Sequence, residues 1–188
     1  MRESIRIGES KMAVDRAAER LDYSTSGLTI REALVDLVKS GLSDRVPPVI
    51  RWGGRDIQTA LVIDVPKRGV VTLEFIDAKS DVEQGADLEV SGWIELSGGE
   101  RVKRLRTWND PALEPTVTYR YSSPKGKLSV WNVYRVRYPG GATVEERWTE
   151  NAGLWVEQTG ALEFVCHCSH GLASPPDFEC LKFRVVVT

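Results

Sequence analysis

The sequence predicts an α+β fold, with two short N-terminal helices followed by a mostly antiparallel, curved β-sheet meander. Three observations carry this. A capping-box signature opens an amphipathic segment near residue 30. Pro47-Pro48 closes the helical texture. Beyond it, short runs rich in β-branched residues alternate with Gly- and Pro-containing turn signals. A chain of 188 residues is expected to form one domain over 1–188, helical over 1–46 and β-rich over 47–188.

Ser10 is placed to cap a first helix reaching Leu21, because Met12, Ala13, Ala17 and Leu21 recur on one helical face. Thr29 followed three positions later by Glu32 can satisfy exposed helix amides reciprocally, so a second helix starts there. Its apolar stripe is Ile30, Ala33, Leu34, Leu37 and Val38, and Gly41 stands where a left-handed cap is wanted.

After the prolines, residues 60–65 and 70–76 read as strands joined in a hairpin by Pro66-Lys67-Arg68-Gly69. The acidic stretch 77–87 reads as a loop. Further strands are expected over 88–96, 101–108, 116–121, 128–138, 143–149, 154–157, 162–168 and 178–187. Turns at Ser97-Gly98-Gly99, Ser123-Pro124-Lys125-Gly126, Pro139-Gly140-Gly141 and Thr159-Gly160 separate several of them.

The hydrophobic fraction of 41% and charged fraction of 28% are those of a globular chain. A net charge of -2 makes nucleic acid an unlikely partner for the surface as a whole. No stretch approaches the roughly 20 apolar residues of a membrane helix, and the N-terminus has no signal-peptide core, so the expected location is cytoplasmic, with no membrane partner. Three cysteines, all in the last quarter of the chain, make a poor disulfide framework.

All the cysteines and both histidines fall in one window, Cys166-His167-Cys168-Ser169-His170 with Cys180. Thiolate and imidazole are preferred zinc ligands, and Cys166, Cys168, His170 and Cys180 supply four of them. A strand places the first three on one side, although the usual two-residue gap between paired ligands is absent. Zinc is accordingly the one cofactor the sequence suggests. Cys168 beside His170, with Asp177 to orient it, is the corresponding nucleophile reading. The bland alternative makes Cys166 and Cys168 small core residues.

A basic middle segment, Arg101, Lys103, Arg104, Arg106, Arg120, Lys125, Lys127, Arg135 and Arg137, interleaves with Trp108, Tyr119, Tyr121, Trp131 and Tyr134. Such a face can bind single-stranded nucleic acid, but Glu145, Glu146, Glu150, Glu157 and Glu163 on later strands are expected to neutralise it by cross-strand pairing. Six tryptophans are many for this length, and the stretch from Glu146 to Trp155 is the best surface candidate, since Asn151-Ala152-Gly153 suggests a bend that presents Trp148 or a neighbouring acid.

The sequence contains no phosphate loop of the form G-x-x-x-x-G-K-[ST], no G-x-G-x-x-G after a strand, no H-E-x-x-H and no G-x-S-x-G, so no residue is assigned to catalysis. The leading expectation is a non-enzymatic factor that binds another protein, as an inhibitor or immunity-type protein neutralising an effector would. Trp148, Glu150, Trp155, Arg135 and Arg137 are its candidate contact residues. A zinc protein and a single-stranded nucleic-acid binder are the alternatives.

Overall fold

A computed structural model describes residues 21–43 and 45–188. The described residues are mostly β, with 52% strand and 8% helix, which corrects the α+β expectation of two helices followed by a meander. The first expected helix, over residues 10–21, lies almost entirely outside the described residues. The second is present as α1 (Ile30–Lys39), preceded by a single 3-10 turn at Tyr23–Thr25. Its capping box forms as expected: the Thr29 amide donates to Glu32 Oε2 at 2.8 Å and the Glu32 amide to Thr29 Oγ1 at 3.2 Å. Gly41 takes a φ of 66° just past its end.

Twelve strands follow among the described residues: β1 (Val49–Trp52), β2 (Arg55–Gln58), β3 (Leu61–Asp64), β4 (Arg68–Asp77), β5 (Gln84–Glu95), β6 (Arg101–Trp108), β7 (Thr116–Ser122), β8 (Lys127–Arg137), β9 (Thr143–Glu146), β10 (Gly153–Gly160), β11 (Glu163–Ser169) and β12 (Leu181–Val187). The main path of the sheet runs β1-β2-β10-β11-β12-β4-β7-β5-β8-β3, with β6 added to β5 and β9 to β8; every pairing is antiparallel. Local hairpins exist at β5–β6, β8–β9 and β10–β11. The expected hairpin between residues 60–65 and 70–76 does not form, because β3 pairs with β8 while β4 lies between β12 and β7. Turn chemistry between two strands says that the chain reverses there. It does not say that the two strands are neighbours.

The strand that organises this topology is β5. Its first part, Gln84–Val90, pairs with β8, whereas Trp93–Glu95 pair with β7. The change of partner falls at Ser91-Gly92, where a Cβ on residue 92 would collide with the Ser122 carbonyl oxygen. Glycine permits that close backbone approach. Gly92→Ala is expected to lower stability by about 1–3 kcal/mol, the usual cost of forcing atoms into a packed site, and urea unfolding would read it. An unchanged midpoint would mean that the corner yields freely.

The sheet closes over one large core. Leu73, Phe75, Phe183 and Val185 of β4 and β12 share it with Leu88 and Val90 of β5 and with Leu128 and Val130 of β8. A second cluster forms where Ile30, Ala33, Leu34 and Leu37 of α1 meet Ile50 and Ile57 of the β1–β2 hairpin. That hairpin turns through Gly53 and Gly54, with φ of 56° and 80°, and both amides donate to the Asp22 carboxylate at 2.9 Å.

Candidate functional site

The Cys/His window divides by strand alternation. Cys166 and Cys168 on β11 point the same way, as expected, and that way is the main core, where both are 0% exposed. Burial pushes both thiols upward, Cys168 further through its neighbours Cys166 and Cys180; burial also raises Cys180. A thiol held protonated is a poor nucleophile, which weakens the Cys168–His170 reading. Among the described residues, no group of three or more His, Cys, Asp or Glu is arranged to hold a metal ion.

His167 faces away from the cysteines and stacks on Trp155, with ring centroids 3.8 Å apart and planes 9° from parallel. Its Nε2 lies 3.8 Å from Glu157 and its Nδ1 3.7 Å from Glu179, and neither nitrogen has a hydrogen-bond partner among the described residues. Burial lowers its pKa, with Lys182 acting in the same direction against the two carboxylates. His170, one residue past β11, turns elsewhere: its Nε2 lies 2.9 Å from Ser80 Oγ, and its ring packs 5.7 Å from Tyr134. The four proposed zinc ligands do not converge on one point, because the core claims Cys166 and Cys168 and the strand ends before His170, whose ring turns to Ser80.

The second region is the outer face of β5, β6, β8 and β9. Register places Asp87 opposite Arg106, Glu89 opposite Arg104, Glu95 opposite Arg101 and Glu145 opposite Arg135. Ion pairs form at each of these places. Cross-strand neutralisation of the basic segment is therefore realised, although the acids come mostly from preceding strands and not from the later ones expected. Asp87, 0% exposed, receives Arg106 through two bonds of 2.7 and 2.8 Å, and Arg147 lies 3.8 Å away. Arg106 also bonds Glu145, which bonds Arg135, which reaches Glu83 at 2.5 Å. This chain of charges spans four strands.

Aromatic rings are set into it. The Arg135 guanidinium lies 4.0 Å over Trp108, and Trp131, buried under Arg104 and Arg147, packs 5.3 Å from Trp148. Both β3 and β9 pair with the edge of β8 opposite β5, β3 over Lys127–Val130 and β9 over Tyr134–Arg137. The Trp148 indole reaches the gap between them, donating from Nε1 to the Thr59 carbonyl at 3.0 Å.

Trp148 and Glu150 are the two non-glycine residues with positive φ among those described, at 57° and 46°. Such backbone costs roughly 1–2 kcal/mol per residue and persists only where its surroundings enforce it. Here they do: Thr149 Oγ1 bonds Tyr134, the Arg31 amide donates to the Glu150 carbonyl at 2.9 Å, and Asn151 donates to the Ala173 carbonyl at 2.7 Å. Trp148 remains 39% exposed.

The bend expected at Asn151-Ala152-Gly153 falls earlier, over residues 148–151: the strand expected over 143–149 stops at Glu146, Asn151 to Gly153 are buried with Gly153 opening β10, and Trp148 and Glu150 are left exposed. Arg135 and Arg137 lie together beside Glu83, Thr143 and Glu145 along a shallow cleft of about 390 Å³. Trp155 belongs to other surroundings, half-buried against the α1 cluster and His167. Sequence reasoning missed Asp87, which it placed in a loop. The alternation Ala86, Asp87, Leu88, Glu89, Val90 carries the period-2 signal that would have started the strand earlier. Ser80 had no sequence signal at all.

No helix among the described residues is long and apolar enough to cross a membrane. No protein-family model, curated protein or solved structure matches this chain.

Proposed function

We propose that the chain is a protein-binding factor whose contact surface is the β8–β9 hairpin with the bend that follows it. The observation that supports this most directly is Trp148, a large aromatic side chain left 39% exposed on backbone held in the left-handed region. Tryptophan and arginine dominate the energetic centres of protein interfaces, and an anchor already ordered in the free protein loses little entropy on binding. Arg147 lies 4.8 Å over the Trp148 ring, and Tyr138 and Val144 of the same hairpin are also exposed. A factor that neutralises an effector by covering it would use a rigid surface of this kind.

The test is Trp148→Ala. The bound partner is identified by cross-linking and mass spectrometry, purified, and titrated against both proteins. The variant is expected to fold and to lose about 2 kcal/mol of binding, roughly 30-fold in Kd. Equal affinity for wild type and variant, or cross-links mapping to the α1 side of the molecule, would remove this surface from consideration.

A further inference from the structure

A second region of the molecule assembles a different chemistry. The loop between β4 and β5 carries Ser80, and the segment after β11 carries His170, 90 positions away in sequence. The two meet at 2.9 Å, Ser80 Oγ to His170 Nε2, within the reach a nucleophile and its base require. The pair is braced on both sides. The Val82 amide donates to Ser80 Oγ at 3.2 Å, and the neighbouring Lys79 amide donates to the Cys180 carbonyl at 3.2 Å. The same carbonyl accepts from Gln84 Nε2 at 2.8 Å. His170 is 6% exposed, whereas Ser80 is only partly covered. Both line an open cleft of about 580 Å³ together with Asp177 and Cys180.

From this geometry we propose that Ser80 is a reactive nucleophile with His170 as its general base, and that the cleft accepts small uncharged carboxylic esters. In the step, Ser80 Oγ forms a bond to the ester carbonyl carbon while its proton passes to His170 Nε2. The bond between that carbon and the alcohol oxygen breaks, and the proton leaves with the alcohol. The products are acylated Ser80 and free alcohol, with no oxidant or reductant needed. A substrate without negative charge follows from the lining: the Lys79 ammonium lies 3.2 Å from Glu179 and 3.9 Å from Asp77, so its charge is already matched, and the Asp177 carboxylate lines the same cleft. Burial lowers the His170 pKa, leaving the imidazole neutral and able to accept a proton near pH 7.

His170 Nδ1 has no hydrogen-bond partner among the described residues, although the Asp177 charge acts on the ring. An orienting acid bonded to that nitrogen contributes about 10⁴ in the serine hydrolases where it has been removed. The pair is therefore expected to give stoichiometric acylation and slow release, not rapid turnover.

The full chain is incubated with a fluorophosphonate probe, whose P–F bond breaks as Ser80 Oγ bonds phosphorus, and separately with p-nitrophenyl acetate. Intact mass and peptide mapping locate the adduct. One adduct on Ser80 is expected, absent in Ser80→Ala and formed about 100-fold more slowly in His170→Gln, the lower range for loss of a general base. Should His170→Gln fail to fold, wild-type protein in urea replaces it, and labelling of Ser80 is expected to disappear on unfolding. No adduct on Ser80, an undiminished rate in folded His170→Gln, or equal labelling of native and unfolded chains would each overturn the assignment.

Discussion

Replacing Arg106 by alanine is expected to lower the unfolding free energy by about 3 kcal/mol, the low end of the range for breaking a buried ion pair from one side. Asp87 is fully buried and takes two bonds from Arg106, while the other cation near it, Arg147, stands 3.8 Å away. Removing Arg106 strands a carboxylate in a poorly solvated place. The low end of the range applies because the Arg106 side chain is itself 26% exposed, so water can reach part of the gap. Arg106→Met combined with Asp87→Leu should recover most of the loss, since replacing both partners leaves no buried charge. Urea unfolding of the wild type, the single variant and the double variant would decide it, and a single-variant loss below about 1 kcal/mol would show that Arg147 or water suffices. The same variant bears on binding. Arg106 links Asp87 to Glu145, and through Glu145 to Arg135 over Trp108, so its loss also loosens the hairpin beside Trp148.

Stability is expected to fall as pH drops from about 7.5 to 5, with a slope of up to about 1.4 kcal/mol per pH unit for each of two histidines. Burial is the first cause of the lowered pKa at both His167 and His170. A depressed folded pKa means that between it and the unfolded value the unfolded chain binds the additional proton, so stability rises with pH in that window. The contribution is full above the ordinary value of 6.5 and is lost as pH falls through the folded value. For His167 the opposing groups are Glu157 and Glu179, which favour the charged ring, whereas Lys182 and Arg55 do not. Asp22, Glu32 and Glu179 have carboxyls held below their usual range, so their contribution disappears only at lower pH. Urea midpoints measured from pH 8 to pH 3 would separate the two windows. A flat profile down to pH 5 would mean that the neighbouring carboxylates overcome burial at His167 and that Asp177 does so at His170.

Much of the local structure is legible in the residues. The capping box at Thr29 and Glu32 and the left-handed Gly41 follow from helix-end chemistry that acts within a few positions, and helical period buries Ile30, Ala33, Leu34 and Leu37 of the expected stripe, whereas Val38 is 51% exposed. Most strands appear near their expected positions because period-2 patterning and β-branched content are also local. The β1–β2 hairpin was missed although Gly53-Gly54 marks a two-residue turn. Prediction of one face for Cys166 and Cys168 was correct, since strand alternation alone decides it.

Pairing between distant strands is another matter. Nothing near residue 64 says that β3 joins β8, and nothing near residue 92 says that β5 changes partner there, because those choices depend on how the whole core closes. The candidate sites divide in the same way. The sequence by itself determined that the chain bends shortly before β10, that the basic segment would meet acids across strands and that two cysteines share a face, all consequences of backbone period and turn chemistry. Only the tertiary structure decided that the shared face is the core, that Asp87 is the buried acid of the charge network and that Ser80 meets His170. Burial and long-range register belong to the assembled sheet and to no segment of it.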